Sequence, residues 1–293
     1  MRSPTSTCLL ATCLVAGVFT SGCSLLKNRT TEQDARLQAR LLANRGTESL
    51  ERGELQQAQS LFAEAITLSP DHEQAHAEYA RVLWKLGKQE EAIGQMARAT
   101  RLSESNPQYQ IELGQMELER GNLETALASA EAAVMIDGES VEALALRGKI
   151  RDWRGDVESA LTDYLQVLGR QPAYPEVQMA TARIYLKRDR PQRALAILTR
   201  MSGQYRAVER PRNLARLQAQ ALKKLGRHDD AVQLLLLAVR NGPADADLFF
   251  ELAEAEWFSG EPENSQLALR QALSIDPNHA ASRRLSELMA TDQ

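Results

Sequence analysis

Aromatic side chains are scarce in this chain. Phe, Tyr and Trp together make up 5% of its 293 residues. A core built on ring packing is therefore excluded, and alanine and leucine have to supply the contacts within an ample 43% hydrophobic content. A membrane-length apolar run is missing near the N-terminus, where the stretch from Cys8 to Phe19 is too short to cross a bilayer as a helix. Strong charge of one sign is missing too. The net charge of −4 names no partner by bulk electrostatics. The signatures of familiar chemistry are also lacking: no glycine-rich phosphate loop, no G-x-S-x-G elbow and no paired-cysteine metal motif. Apart from one short histidine motif, nothing here supplies the parts of a known enzyme class.

What the chain has is a regular period. Gly53, Gly87, Gly121, Gly155, Gly226 and Gly260 fall 34, 34, 34, 71 and 34 residues apart. The 71 is two periods plus three residues, with Asp189 where a glycine is due. Five residues after each tick stands Ala58, Ala92, Ala126, Ala160, Ala194 or Ala231, and Ser265 in the last repeat. Seven residues before it stands Gly46, Ala80, Gly114, Gly148, Ala182, Ala219 or Ala253. Twelve residues after it, alanine recurs in five repeats, while Val167 and Met201 are larger. Pro70, Pro172, Pro243 and Pro277 close four of the units.

Each feature has a physical reason. Segments such as 73–86 and 89–102 place apolar residues at i, i+3, i+4 and i+7, which predicts two helices per period. The glycine between them ends the first helix, because it accepts φ > 0 without a Cβ clash. Small residues let the paired helices approach closely, where a larger side chain would overpack the contact. Proline sits where it costs no needed hydrogen bond. One such hairpin cannot bury its apolar face alone, so hairpins stack.

This pattern resembles the tetratricopeptide repeat. The resemblance covers about 39–279 in seven units: 39–72, 73–106, 107–140, 141–174, 175–208, 212–245 and 246–279. It implies an all-α fold, an α-solenoid of about seven helical hairpins. A polar-faced segment at 280–293, with Ala280, Leu285, Leu288 and Met289, looks like the capping helix of such arrays. The fifth unit departs from the pattern in lacking both glycine and closing proline, and three extra residues follow it. A kink or change of pitch is expected near 206–211.

The N-terminus follows another logic. Arg2 and the apolar run after it have the length and flanks of a secretory signal. The run ends in Thr20, Ser21, Gly22 and Cys23, which resembles the bacterial lipobox, although Thr20 stands where a branched apolar residue is usual. The resemblance implies a signal peptide over 1–22 and lipid modification of Cys23. A polar tether over 23–38 would then lead to the array. Cys8 and Cys13 would leave with the signal, so the mature chain would hold one cysteine and no disulfide. Two or more acyl chains anchor stably where one is marginal. Ser24 is not the aspartate that holds enteric lipoproteins at the inner membrane, which favours the outer membrane, facing the periplasm.

Three sets of residues are candidates for function. His72-Glu73-Gln74-Ala75-His76 spells the H-E-x-x-H of zinc proteases, in which two imidazoles share a helical face and the glutamate acts as base. Here it starts just after Ser69 and Pro70, and no third ligand is evident, so coincidence at a helix start is the preferred reading. Trp84, Trp153 and Trp257 lie near the ends of first helices. By the resemblance these helices line a concave groove, and Trp is enriched at binding hot spots. The alternative is packing against the neighbouring repeat. Finally, 13 Lys/Arg face two acids between 183 and 227, a local +11 that leaves −15 for the rest. Arg183 and Lys187 in the fifth unit align by spacing with Gln220 and Lys224 in the sixth, with Arg216 one turn earlier. Two readings stand for them: a basic stripe in the groove that holds an acidic peptide, or a solvated face with cations at helix ends.

The sequence thus predicts an exported, lipid-anchored, non-catalytic adaptor that binds a protein segment along its groove, an acidic one on the basic-stripe reading. No cofactor is expected. Nucleic acid is disfavoured, since the basic stretch has no interleaved aromatics for base stacking. A zinc metalloenzyme and a self-assembling structural protein are the alternatives.

Overall fold

The computed structural model describes residues 16–206, 211–242 and 245–291, with side chains from residue 31 onward. Fifteen helices and no strand are found among the described residues. They form two compact units, divided after Gly138.

The first unit holds α1 (Ala16–Glu51), α2 (Leu55–Leu68), α3 (Glu73–Lys85), α4 (Gln89–Leu102), α5 (Pro107–Glu119) and α6 (Leu123–Ile136). They pack as hairpins α1–α2, α3–α4 and α5–α6, with α2 also touching α3 and α4 touching α5. The second unit holds α7 (Val141–Trp153), α8 (Val157–Arg170), α9 (Pro175–Lys187), α10 (Pro191–Ser202), α11 (Arg212–Lys224), α12 (His228–Arg240), α13 (Ala246–Phe258) and α14 (Pro262–Ile275), and ends in α15 (Ala280–Thr291). It stacks four hairpins in the same way. Within each unit this is the all-α hairpin stack of an α-solenoid.

The turn between paired helices is the same in all seven hairpins. The six turn glycines have φ between 71° and 84°, and Asp189 takes their place with φ 53°. In every case the amide of the next residue donates to the carbonyl five residues back. Lys88 donates to Leu83 at 2.9 Å, and Arg190 to Tyr185 at 2.8 Å. This Schellman arrangement satisfies a carbonyl left over at the helix end. Asp189 therefore does the glycine's work with a side chain that tolerates the left-handed region better than most.

The small residues mark where helices meet. Ala58, Ala92, Ala126, Ala160, Ala194 and Ala231 are fully buried, as is Ser265 in the last hairpin. The Ser265 hydroxyl donates to the Ala253 carbonyl at 2.8 Å, so the extra polar atom is satisfied. Gly148 is the tightest contact. A Cβ there would lie 2.8 Å from the buried Tyr164 ring and 3.2 Å from the Asp163 Cβ. Leu285 and Met289 of α15 are buried against the last hairpins, whereas Leu288, read as part of the cap, is exposed.

Several expectations meet the structure differently. The stretch read as a polar tether, 23–38, is helical backbone within α1. No glycine or proline lies between Ser24 and Arg45 to stop it. Residues 1–15, and the side chain of Cys23, lie outside the described residues. So do 207–210, where the kink was expected, and Pro243. The fifth hairpin's second helix, α10, stops after 12 residues, against 13 or 14 in the others. Among the described residues, no helix is long and apolar enough to cross a membrane.

The turn account makes a quantitative prediction. In a Lys224→Ala background, which removes the exposed partner of Asp189, Asp189→Gly should stabilise the chain by about 0.5–1 kcal/mol. Gly87→Ala should destabilise it by roughly 1–2 kcal/mol. Urea unfolding followed by circular dichroism reads both.

Candidate functional site

The H-E-x-x-H sequence is a helix start. His72 is the N-cap of α3, and its Nδ1 accepts the Ala75 amide at 3.2 Å. His76 is buried, with Nε2 3.1 Å from the Pro70 carbonyl and Nδ1 2.7 Å from the Gln95 side-chain amide. His72 thus caps its own helix, while His76 ties α3 to α4 of the same hairpin and to the connection from α2. Among the described residues no group of three His, Cys, Asp or Glu side chains could hold a metal ion. The same device recurs without the motif at the other end of the array. In Pro277-Asn278-His279, His279 Nδ1 accepts the Ser282 amide at 3.3 Å as α15 begins. Its Nε2 lies 3.0 Å from Asp247 and so ties α15 to α13. That hydrogen bond holds the Asp247 carboxyl below the usual carboxylate range.

Several charged residues of the first helices pair with groups of the neighbouring hairpin. In the first unit, Arg81 of α3 makes a bidentate pair with Glu112 of α5, 2.7 Å on both arms. Arg120 pairs with Glu90, and Arg36 with Asp71 at 3.0 Å. In the second unit Arg216 holds Glu251 bidentately at 3.0 and 3.1 Å, and Gln220 donates to the same carboxylate at 3.2 Å. The Glu251 hydrogen bonds raise the Arg216 pKa further. Lys223 pairs with Glu254, Lys224 with Asp189 at 2.9 Å, Arg188 with Glu158, and Arg183 with Asp152 at 3.8 Å. All these partners lie 30 to 35 residues apart, close to one period. The charges of one repeat are therefore matched to those of the next. Bidentate Arg–carboxylate pairs fix geometry as well as adding energy.

This changes the meaning of the basic stretch. Its +11 counts sequence neighbours only. Asp152, Glu158, Glu251 and Glu254, which neutralise four of its cations, lie outside the window. The structure brings Arg216 and Gln220 together on Glu251. It leaves Arg183, Lys187 and Lys224 exposed, and Lys187 makes no ion pair among the described residues. The tryptophans separate as well. Trp84 and Trp257 are half-buried and pack against the cores of their units. Trp153 is 58% exposed, with the Lys149 ammonium 5.7 Å from its ring centre.

Sequence reasoning missed three further features. Asp163 of α8 is 1% exposed and accepts from Arg147 at 2.7 and 3.0 Å and from Arg151 at 2.9 Å. The close approach at Gly148 brings these groups together, and a buried carboxylate of this kind requires such partners. Phe258 is 59% exposed and stacks on His228 at 5.4 Å. Glu256 of α13 is buried, and its Oε2 has no hydrogen-bond partner among the described residues. Burial, with a smaller contribution from Glu261, pushes its carboxyl up to about 7. Two clefts, of about 380 and 300 Å³, sit at the starts of first helices. The cations Arg36 and Arg216 that line them are already paired.

Two sequence profiles, both described as tetratricopeptide repeat, match the chain. One covers residues 49–114 and the other 92–141, 147–208 and 216–280. No curated protein matches it significantly. Among solved structures, a tetratricopeptide repeat protein from Parabacteroides merdae is 17% identical with a TM-score of 0.61, covering 87% of this chain and 99% of its own. The C-terminal part of a repeat-containing protein from Cytophaga hutchinsonii is 13% identical with a TM-score of 0.65, covering 82% and 98%. YrrB, described as having an unusual peptide-binding site, is 17% identical with a TM-score of 0.59, covering 66% and 97%. At these identities the likeness is one of fold.

The state of Glu256 predicts a pH dependence. With its folded pKa raised to about 7 from 4.5, the folded chain keeps a proton that the unfolded chain loses. The Glu256 contribution to stability is therefore greatest below pH 4.5, falls as pH rises through 4.5 to about 7, and is flat above. Glu256→Gln should raise the melting temperature more at pH 8 than at pH 5. An equal gain at both pH values would contradict the assignment.

Proposed function

This chain belongs to the tetratricopeptide repeat family, and from that premise we propose that it is a non-catalytic scaffold whose second unit engages a protein segment on its first helices. The family's fold is that of an interaction scaffold. The observation that carries the reading is the exposed set Trp153, Arg183, Lys187 and Lys224, left at the surface after Arg216 and Gln220 have been taken up by Glu251. A similar fold with a peptide-binding site, that of YrrB, supports it. The remaining exposed cations favour an acidic segment, and a rigid stack loses little ordering entropy on binding.

The cellular setting is part of the same proposal. The lipobox-like Ser21-Gly22-Cys23 supports export and lipid anchoring of Cys23 in a bacterial envelope. In that setting the array faces the periplasm, with the outer membrane favoured. Replacing Cys23 by Ala should then abolish incorporation of labelled palmitate and release the chain from the membrane fraction.

The scaffold reading is tested in living cells. A photo-cross-linking amino acid at position 183 or 187 of the full chain should trap discrete protein partners. Placed at 131, on the exposed side of the second helix α6, it should not. The adducts should weaken as salt rises, since exposed charges are screened beyond about 8 Å at physiological ionic strength. Adducts from 131 alone would move the partner to another face, and none from any position would contradict the scaffold.

A further inference from the structure

Each of the seven first helices ends on an exposed residue. In five of them it is charged, as at Lys187 in α9 and Lys224 in α11. In the other two, both in the second unit, it is aromatic. Trp153 ends α7 and Phe258 ends α13, 58% and 59% exposed. The second unit therefore carries, hairpin by hairpin, the series Trp153, Lys187, Lys224, Phe258.

Contacts at this end of the helices tie the series into one edge. Asp152, next to Trp153, meets Arg183 of α9 at 3.8 Å. Asp189, in the turn after α9, meets Lys224 at 2.9 Å. Phe258 stacks on His228, at the start of α12 just beyond the turn after Lys224. Lysine at a helix C-terminus has a local reason, because it complements the helix dipole. That reason does not extend to Trp153 or Phe258, each of which buries only part of its ring. Exposed aromatics are candidates for binding anchors, tryptophan above all, and Trp153 lies open beside Lys149.

We propose that Trp153, Lys187, Lys224 and Phe258 form a docking edge for an extended protein segment with acidic side chains at its centre and an apolar side chain toward each end. This rests on the scaffold reading above and names the partner chemistry of its second unit. Charge complementarity sets the centre. Lys187 has no carboxylate partner among the described residues. Lys224 is held only by Asp189, and the two side chains are 46% and 81% exposed, so a ligand carboxylate exchanges with Asp189 at little cost. The aromatic ends set the anchors. An extended chain rises about 3.3 Å per residue and packed helices lie roughly 8–10 Å apart, so the segment meets a new first helix about every third residue and spans about ten residues.

The test presents the full chain to a random peptide display library and measures the affinity of the enriched peptides. The parent chain should select peptides with one or two acidic residues flanked on both sides by apolar ones. Trp153→Ala with Phe258→Ala should weaken those peptides at least tenfold. Lys187→Glu with Lys224→Glu should change the selected centre from acidic to basic. All four positions are exposed, and a helical signal and melting curve like the parent's show that each variant folds. Enriched peptides whose pattern and affinity neither variant changes overturn the edge and leave the scaffold standing. If the parent chain enriches no peptide, both fall.

Discussion

The turn that ends each first helix is the constraint on which the rest of the chain depends. One residue in the left-handed region stops a helix, satisfies its last carbonyl groups through the following amide, and sends the chain back along its own side. Once that reversal is fixed, the residues five after and seven before the turn are buried between the paired helices, and Ala, Gly or a satisfied Ser fills those places. Hairpin contact then leaves an apolar face that the next hairpin must cover. Asp189 shows that the constraint is conformational rather than chemical. A different residue takes the same φ sign, makes the same hydrogen bond, and the array continues.

The second level is electrostatic. Charges on one first helix are met by opposite charges about one period later, so adjacent repeats are joined by polar contacts as well as by buried alanine and leucine. Arg81–Glu112 in the first unit and Arg216–Glu251 in the second are the best formed. Half-buried pairs of this kind contribute more to register and specificity than exposed ones. Their functional consequence is subtraction. Half-buried charges paired between repeats do not await a ligand, and what stays open on the second unit is a smaller set in which exposed aromatics matter as much as the exposed cations.

The sequence made the fold plain because the fold is periodic. Gly53 to Gly260 and the alanines beside them mark helix ends and helix contacts directly. The site was less legible, for three separate reasons. The +11 between 183 and 227 is a sum over sequence neighbours, while the neutralising Asp152 and Glu251 lie outside that window and reach it only through stacking. Trp84 and Trp257 stand three residues before their turn glycines and Trp153 two before, about 100° further round the helix. That offset is in the sequence, but which of the two positions the stack leaves open is not. Phe258 and the buried carboxylates of Asp163 and Glu256 carry no motif at all. The H-E-x-x-H at 72–76 errs the other way, as a motif whose two histidines serve a helix cap and an inter-hairpin contact.

The claim that first-helix charges join repeat to repeat is tested most directly by a double-mutant cycle on Arg81 and Glu112, with each replaced by Ala singly and together and stability read by urea unfolding. The bidentate geometry predicts a coupling energy of about 1–3 kcal/mol, so the double variant loses clearly less than the sum of the singles. Strict additivity, with coupling near zero, would show the two side chains to be independent and return the ladder to the solvent.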